Sequence, residues 1–402
     1  MSTGYDAVVV GARVAGASTA MLLARAGARV AVVDRAAYGT DTVSTHALMR
    51  AGVVQLSRWG LLDGVVSAGT PAIRRTTFHY ADGESVAVDI RPSIGADALY
   101  APRRPLLDRL LVDAAVAAGA DVRHETSVTA LLHDRAGRVS GVQVRDRWGK
   151  TSELRGAITV GADGLRSVVA EQAGAPLLRR GRARSAVLYR YYAGIPAAGY
   201  EWAYAPGMGA GLIPTNDGLT CVFVGTTPAR MRRLRRGGAE HAFATLLAQG
   251  GVQLAERVAS GQPAGRMHGW AGVAGVARRP WGPGWALVGD AGYYRDPLTT
   301  HGITDALRDA ELLADEILET LAGATAENVA LGRYQAMRDR LSGPLFDATE
   351  PVASYDWDLV GLRRLLLRVS AAMGDEVEYL QALPERRADG ERRVATLTTG
   401  RC

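Results

Sequence analysis

Hydrophobic and polar residues alternate along the chain with the periods expected of an α/β protein. Residues 5–10 (YDAVVV) and 30–33 (VAVV) are short apolar runs rich in β-branched residues, which is typical of buried parallel strands. Residues 18–27 (STAMLLARAG) lie between them and have a helical pattern that ends at a glycine. The pattern therefore predicts a strand, a helix and a second parallel strand at the start of the chain.

The turn between the first strand and the helix carries the residues of a dinucleotide-binding site. Gly11 permits a tight turn, and Gly16 lets the helix lie close to the sheet. Asp34 ends the second strand 18 residues after Gly16, at the spacing where an acid meets the adenosine ribose. The helix N-terminus offers free N–H groups to a pyrophosphate. Arg13 stands where the fingerprint has its middle glycine, so its side chain must turn aside or lie along a phosphate.

Two later motifs follow a similar strand–loop–helix plan. Residues 161–167 (GADGLRS) come after an apolar strand, and Asp163 either caps the following helix or contacts a cofactor. Residues 285–290 (WALVGD) end in Asp290 and precede a helical pattern over residues 303–321. This stretch is either an ordinary strand–loop–helix unit or a flavin site. In the second interpretation Asp290 accepts a hydrogen bond from a ribityl hydroxyl, and the N-terminus of the helix faces the N1–O2 edge of the flavin.

The three motifs, in this order, resemble those of the group A flavin monooxygenases of the para-hydroxybenzoate hydroxylase type and of the related geranylgeranyl-reductase-like oxidoreductases. The resemblance covers most of residues 5–345. It implies an α/β fold in which a Rossmann-like FAD-binding domain of the GR2 type carries an inserted antiparallel β-sheet domain for the substrate, followed by C-terminal helices. FAD and NAD(P)H are the implied cofactors, and a small-molecule substrate and O2 the implied partners.

The resemblance also implies cofactor contacts residue by residue. They are Gly11, Arg13, Val14, Ala15 and Gly16 in the phosphate turn, Asp34 and Arg35 at the adenosine end, Arg104 beside the flavin with Arg103 as the weaker choice, Val128 at the adenine, Asp163 in the second motif, and Asp290, Pro297, Gly302 and Ile303 in the third. The second motif departs from the family pattern because Ala170 stands where an arginine is usual. That stretch contacts both FAD and NAD(P)H in the family, which leaves the source of reducing equivalents undecided.

The same comparison divides the chain into three parts. We expect a discontinuous FAD-binding domain from residues 1–72, 100–182 and 265–345, and a substrate-binding sheet domain from residues 73–99 and 183–264. Residues 346–402 are expected to form a C-terminal helical segment and a flexible tail.

Aromatic residues concentrate in the strand-like region that follows residue 185. They are either ordinary strand aromatics or the lining of a pocket for an apolar substrate, and the resemblance favours the pocket. The candidate pocket residues are Tyr189, Tyr191 and Trp202, with Tyr293 further along the chain.

Two histidines are candidates for catalysis. His46 follows the second strand, and His301 directly precedes Gly302. Our hypothesis is that one of them polarises the substrate or the flavin, whereas the alternative for each is a structural hydrogen bond. No histidine pair has the spacing of a zinc motif, so we expect no metal site.

The implied function is hydroxylation or epoxidation of a small apolar or aromatic substrate in secondary metabolism, through a flavin C4a-hydroperoxide formed after reduction by NAD(P)H. A flavin-dependent reductase of isoprenoid double bonds and a non-redox cyclase that binds FAD are the alternatives. A flavin halogenase is rejected because the WxWxIP motif is absent and Lys150 lies near a hairpin.

Composition argues against a nucleic-acid-binding, a membrane-spanning or a disulfide-rich protein. The 402 residues are 48% hydrophobic and carry a net charge of +6, and Lys150 is the single lysine, so the charge reflects scattered arginines rather than a nucleic-acid-binding patch. No run reaches the roughly 18 apolar residues that a membrane span needs. Two cysteines cannot frame a disulfide scaffold, which fits a cytoplasmic setting. The sequence carries no signal for an oligomeric state.

Overall fold

The structure, a computed structural model, describes residues 4–383, so the tail expected beyond residue 383 lies outside the described part of the chain. The helices are α1 (Val14–Arg25), α2 (Arg50–Arg58), α3 (Leu62–Ser67), α4 (Arg104–Ala117), α5 (Val168–Gln172), α6 (Pro228–Leu234), α7 (Ala239–Gln249), α8 (Val252–Ala259), α9 (Gly302–Leu321), α10 (Glu327–Ala353) and α11 (Leu359–Ala382). The strands are β1 (Tyr5–Val10), β2 (Val30–Val33), β3 (Arg75–Tyr80), β4 (Ser85–Asp89), β5 (Asp121–Arg123), β6 (Ser127–His133), β7 (Val139–Arg145), β8 (Thr151–Gly161), β9 (Leu177–Arg180), β10 (Ala186–Ala193), β11 (Tyr200–Ala205), β12 (Met208–Pro214), β13 (Leu219–Thr226), β14 (Gln262–Trp270), β15 (Val276–Arg278), β16 (Trp281–Gly282), β17 (Trp285–Leu287) and β18 (Tyr293–Tyr294).

The expected strand–helix–strand unit forms the centre of the first sheet. β1 pairs in parallel with β2 on one side and with β8 on the other, and the main path runs β16-β17-β8-β1-β2-β5. Val9 and Val32 pack into the cluster that contains α1, α4 and α9. Val8 and Val33 point to the opposite face, where they pack against β6, β7 and α5. Both faces are therefore covered, which explains why these strands are apolar throughout.

The inserted sheet has seven strands in the order β14-β10-β13-β12-β11-β3-β4. β3 and β4 form an antiparallel hairpin that joins this sheet, as expected for residues 73–99. Contrary to the expectation of an antiparallel sheet, β11 pairs with β3 in parallel. The two strands come from distant segments, so no tight turn constrains their relative direction. One face of this sheet packs on α6, α7 and α8, and the other packs towards α10 and α11.

Two expected domain boundaries fall inside single elements. The boundary at residues 264–265 divides β14, which pairs with β10 from Gln262 to Trp270 and so belongs to the inserted sheet as a whole. The boundary at residues 345–346 divides α10, which continues through Pro344 and Pro351. α10 contacts α9 of the FAD-binding part, and its residues also pack against the inserted sheet. The helical segment therefore joins the two parts rather than following them.

A buried ionic network ties the last three helices together. The guanidinium of Arg308 on α9 is 1% exposed and donates to Asp305 at 3.0 Å and to Asp309 at 2.6 Å. It also donates to Glu376 on α11 at 2.7 Å and to the hydroxyl of Ser342 on α10 at 2.8 Å. Asp305 also pairs with Arg295, and Glu376 with His301, whereas Arg308 is the one ion-pair partner of Asp309 among the described residues. The buried charge of Asp309 therefore depends on Arg308.

We predict that Arg308→Leu lowers the free energy of unfolding by about 3–5 kcal/mol, because it leaves the buried Asp309 carboxylate without its cation and removes the ion pair that joins α9 to α11. Arg333→Leu, which removes a surface pair with Glu316 on neighbouring helices, is the control and should cost less than about 1 kcal/mol. Urea denaturation followed by circular dichroism measures both. Equal losses in the two variants would contradict a structural role for the network.

Candidate cofactor and substrate site

The turn after β1 is built so that only glycine fits at two positions. Gly11 has φ of +105°, and a Cβ there would lie 2.4 Å from the carbonyl oxygen of Ala162. A Cβ on Gly16 would lie 1.8 Å from the carbonyl oxygen of Gly11. α1 then begins at Val14 with no side-chain cap and no acidic residue in its first turn. Its N-terminal N–H groups and the positive end of its dipole are therefore available to a phosphate.

The side chain of Arg13, which replaces the middle glycine of the fingerprint, points away from the phosphate turn. Its backbone is extended, with φ of −84°, so the position does not require glycine. Its guanidinium donates to the carbonyl oxygen of Thr40 at 2.7 Å and to Asp108 at 2.8 Å. Asp108 also accepts from Arg104 at 3.0 Å, so one buried carboxylate holds both arginines.

Asp34 lies where the fingerprint predicts the acid. Its carboxylate accepts N–H groups from Ala12 and Ala36, both at 2.7 Å, which fixes its orientation. It borders a pocket that also includes Tyr38 and His124, whose rings meet edge to face at 5.5 Å. Each carboxylate oxygen keeps a lone pair for a ribose hydroxyl. The side chain of Arg35 is exposed, and it is absent from the lining of this pocket.

Asp163 caps the helix that follows it. One carboxylate oxygen accepts the N–H of Val168 at 2.7 Å, whereas the other is buried without a partner in the described structure. Burial raises the pKa of this carboxyl. Val128 lies in β6, half-buried beneath the first sheet and paired with Val144. Asp163 therefore caps α5 with one carboxylate oxygen, and its second oxygen is available to a ligand.

The third motif meets the phosphate turn at the same edge of the sheet. Val10, Gly161 and Leu287 are aligned across β1, β8 and β17, so the three loops that follow leave the sheet side by side. Contact is direct, because a Cβ on Gly289 would lie 2.8 Å from the Cβ of Ala15. The carboxyl edge of a parallel sheet is where ligands of such folds bind.

Asp290, Pro297 and Gly302 are exposed although most residues around them are buried, and Ile303 is half-buried. This pattern is typical of residues that line a cleft. Desolvation by the protein that surrounds the cleft raises the pKa of Asp290 to about 6, the Asp305 carboxylate adds to the shift, and Arg104 opposes it. Gly302 begins α9 without a side-chain cap.

His46 connects this cleft to the inserted sheet. It is buried with φ of +69°, and its Nε2 is hydrogen-bonded to the hydroxyl of Tyr191. Burial, together with the neighbouring charges of Arg104 and Arg103, holds the pKa of His46 well below its usual value, so the ring is neutral. Arg104 acts on both Asp290 and His46, which places these groups in one electrostatic environment.

Three of the four candidate pocket residues share one face of the inserted sheet. Tyr189, Tyr191 and Trp202 belong to one apolar cluster, on the side of the sheet that faces α10 and α11. Tyr192 points to the opposite side. The guanidinium of Arg103 lies 4.1 Å from the ring centre of Tyr191. Burial raises the pKa of Tyr189 to about 12, so these phenols stay protonated. We call the side of the sheet that carries them the aromatic face.

Tyr293 and His301 lie elsewhere. Tyr293 packs against Phe346, and its hydroxyl donates to the carbonyl oxygen of Ser342 at 3.0 Å. The Nε2 of His301 is hydrogen-bonded to Glu376 in the buried ionic network. Tyr293 is therefore not grouped with the aromatic face, and the structure supports the structural alternative for His301. The sequence did not indicate these contacts, because the partner of Tyr293 lies on α10 and the partner of His301 lies on α11. The positions of those helices cannot be deduced from the local sequence.

His301, Asp305 and Glu376 lie close enough together to bind one metal ion. However, Arg308 already pairs with both carboxylates, which leaves them poorly suited to a divalent cation.

Sequence reasoning missed Asp108, Tyr38 and His124. Asp108 follows Arg104 by four residues on α4, a spacing that indicates an ion pair. Tyr38 is four residues after Asp34, so its closeness in sequence could have placed it in the same pocket. His124 reaches this pocket because β5 pairs with β2, which the local sequence does not indicate.

The fold and these three loops define an FAD-dependent oxidoreductase. Residues 4–349 match the family model described as FAD binding domain, and the chain therefore belongs to that family. Among curated proteins, menaquinone reductase of Mycolicibacterium smegmatis is 29% identical over 81% of this chain and 78% of its own length. Digeranylgeranylglycerophospholipid reductase 2 of Methanopyrus kandleri is 27% identical over 85% of this chain and 84% of its own length.

Solved structures share the fold. The myxobacterial chondrochloren halogenase superposes with a TM-score of 0.79 at 21% identity, covering 96% of this chain and 98% of that one. PqsL of P. aeruginosa, solved in complex with 2-aminobenzoylacetate, superposes with a TM-score of 0.76 at 24% identity, covering 92% of this chain and 100% of that one. The expected fold class is confirmed by these matches. No helix within residues 4–383 is long and apolar enough to cross a membrane.

The site fits FAD on its own geometry. The glycine turn and uncapped α1 suit the pyrophosphate, Asp34 suits the adenosine ribose, and the exposed Asp290 and Gly302 suit the flavin end. The unpartnered oxygen of Asp163 supplies one further acceptor at the same edge.

We predict that Asp290→Leu weakens FAD binding at least about tenfold, since a hydrogen bond to a charged group contributes about 1.5–3 kcal/mol. Asp356→Leu, at an exposed site in the loop before α11, is the control. Flavin fluorescence titration of the apoprotein measures both.

The pH dependence gives a second expectation for this carboxyl. Ionised Asp290 is the better acceptor, and its pKa lies near 6, so wild-type FAD affinity should rise as pH increases through 6 and then level off. Asp290→Asn should bind FAD with no such rise between pH 5 and 8. The same pH profile in both proteins would exclude Asp290 as the titrating group.

Proposed function

We propose that the protein reduces a carbon–carbon double bond of an apolar, isoprenoid-type substrate. The observation that carries this proposal is the aromatic face, which extends across the inserted sheet and is joined to the cofactor cleft through His46. Such a surface suits a long apolar substrate, because its aromatic rings and aliphatic side chains can bury hydrocarbon, while the polar groups at Tyr191 lie at the end that meets the cleft. Similarity to reductases of menaquinone and of digeranylgeranylglycerophospholipid supports the same choice over the monooxygenation expected from the sequence.

The chain's own residues would bind and orient the reactants. FAD supplies a hydride once it is bound and reduced. The N-terminus of α1 would hold the pyrophosphate, and the N-terminus of α9 would stabilise negative charge at the ring edge that it faces. The aromatic face would exclude water and hold the double bond in place.

Reduction of a double bond also requires a proton on the second carbon. The hydrogen-bonded pair of Tyr191 and neutral His46 bears exchangeable protons beside the cleft. We assign proton delivery to the Tyr191 hydroxyl, with His46 as hydrogen-bond partner of the phenolate while it forms. Water restores the phenol proton once the product has left. Arg103, stacked on the Tyr191 ring, would stabilise the phenolate while it forms.

Monooxygenation by NAD(P)H and O2 is the second candidate. Tyr189, Tyr191 and Trp202 present flat rings that suit an aromatic substrate, and a dry face would protect an oxygen-reactive centre from water. NAD(P)H as the reductant is proposed from the family resemblance for either reaction.

An anaerobic turnover experiment distinguishes the candidates. FAD-loaded protein reduced with dithionite, and separately with NADPH or NADH, is mixed with menaquinone, a geranylgeranyl lipid and a panel of phenols, and products are analysed by mass spectrometry. We expect a gain of two hydrogens in an isoprenoid substrate without oxygen. A gain of one oxygen atom that requires air would support monooxygenation instead. Conversion without oxygen or reductant would indicate a cyclase and refute both redox proposals.

The proton-delivery assignment predicts a selective loss in Tyr191→Phe. Its kcat at saturating substrate should fall about 10²–10⁴-fold, the range for loss of a general acid, while FAD affinity is unchanged. Tyr192→Phe, the next residue on β10 but on the opposite face, is the control. His46→Ala should lower kcat, whereas His301→Ala should chiefly lower stability. Normal turnover in Tyr191→Phe and His46→Ala would remove the assignment.

A further inference from the structure

The aromatic face is continuous with an exposed edge of the inserted sheet. β4 is the outermost strand, and all five of its residues are exposed. Val86 lies opposite Phe78 in the antiparallel pair, so the two side chains project to the same side of the sheet. Phe78 packs against the cluster of the aromatic face. Val86, and Val88 two residues later, therefore extend this apolar side to the edge of the sheet, where they are 38% and 45% exposed.

Helix α11 contacts the segments at both ends of this edge. Near its start, Arg363 pairs with Asp82 and Glu84 in the turn that connects β3 to β4. Near its end, Gln381 donates to the carbonyl oxygen of Ile94, beyond the other end of β4. Arg363 and Gln381 are 18 residues apart, which is about five helical turns, so both lie on one line of the helix, on the side towards β4.

On the outer side of α11, an apolar residue lies next to the line through Arg363 and Gln381, and basic residues lie further around the helix. At about 100° per residue, Leu367 lies about 40° from the line, and Arg364 and Arg368 lie about 100° and 140° from it. Leu367 is 70% exposed, and Ile94 beside the helix end is 83% exposed. Both arginines are exposed, and neither has an ion-pair partner among residues 4–383. The β4–α11 edge consists of Val86, Val88, Ile94, Arg364, Leu367 and Arg368.

The seam between β4 and α11 is lined largely by apolar side chains. Leu366 and Met373 on α11 are half-buried, as are Phe78 and Ile90 at the strands, and all four pack against the aromatic face. Thr76, opposite Val88 in the β3–β4 pair, adds a polar side chain to the same side. An apolar chain at the edge would therefore contact mainly hydrocarbon on its way to the buried aromatic side chains.

We propose that the β4–α11 edge docks on the surface of an anionic lipid bilayer, and that the apolar substrate enters through the seam beside it. The substrate part of this inference rests on the function proposed above. Exposed aliphatic side chains flanked by arginines are suited to the boundary between headgroups and acyl chains. The acids beside the edge are partly compensated, because Asp82 and Glu84 share Arg363 and Asp89 pairs with Arg75. Asp375 and Glu378 lie further along α11.

A second copy of the chain fits this edge less well. A two-fold contact across the edge would bring Arg364 and Arg368 of one copy against the same residues of the other. Such like charges repel, whereas anionic headgroups attract them.

Vesicle flotation of the full-length, FAD-loaded protein tests the proposal. We expect binding to vesicles of phosphatidylcholine with phosphatidylglycerol, weaker binding to phosphatidylcholine alone, and a decrease with salt. Removing both charges in Arg364→Gln with Arg368→Gln should weaken binding about 30-fold, at about fivefold for each arginine. Val88→Asp with Leu367→Asp should also abolish most binding. The controls are Arg232→Gln with Arg233→Gln on α6, and Val252→Asp at the start of α8, all at exposed sites.

Three results would overturn the docking proposal: no binding by the wild type, equal binding by edge and control variants, or a dimer in sedimentation equilibrium that Leu367→Asp dissociates. Vesicle binding does not depend on catalysis, so the two proposals fail separately. Turnover of detergent-dispersed substrate without vesicle binding would remove the docking site alone. Vesicle binding without any reduction would remove the proposed reaction alone.

Discussion

The close approach of backbone to backbone at the carboxyl edge of the first sheet is the constraint on which the site depends. Gly11 and Gly16 have no room for a Cβ because the chain after β8 and the turn itself occupy that space. This contact sets α1 against the sheet, and Gly289 then brings the third motif against Ala15. Three loops that are distant in sequence are thereby held at one edge, where a long cofactor can contact all of them.

The cofactor cleft and the aromatic face are connected through a small number of charged groups. Asp108 holds Arg13 and Arg104, and Arg104 in turn influences both Asp290 and His46. His46 is hydrogen-bonded to Tyr191 on the aromatic face. Separately, Arg308 fixes α9 to α10 and α11, and the latter two helices cover that face. The loop before α9 and the covering of the aromatic face therefore depend on the same helices.

Local sequence signals were sufficient where neighbouring residues decide the structure. The strands at residues 5–10 and 30–33 have the expected bounds, and α9 begins at Gly302 as its pattern indicated. These segments combine apolar periodicity with glycine or acid at their ends, and each signal lies within one element. Asp163 shows the limit of this reasoning, because both a cap and a cofactor contact were compatible with its sequence and the structure displays the cap.

By itself, the sequence determined the βαβ unit and the order of the three motifs, since these follow from residue spacing along the chain, and the family resemblance of those motifs indicated FAD. Tertiary structure decided which aromatic residues share a face, because the parallel pairing of β11 with β3 and the covering by α10 and α11 join segments far apart in the chain. It also decided that His301 and Tyr293 bond to those helices rather than line the pocket. Side-chain direction at such positions depends on long-range packing, which no local pattern encodes.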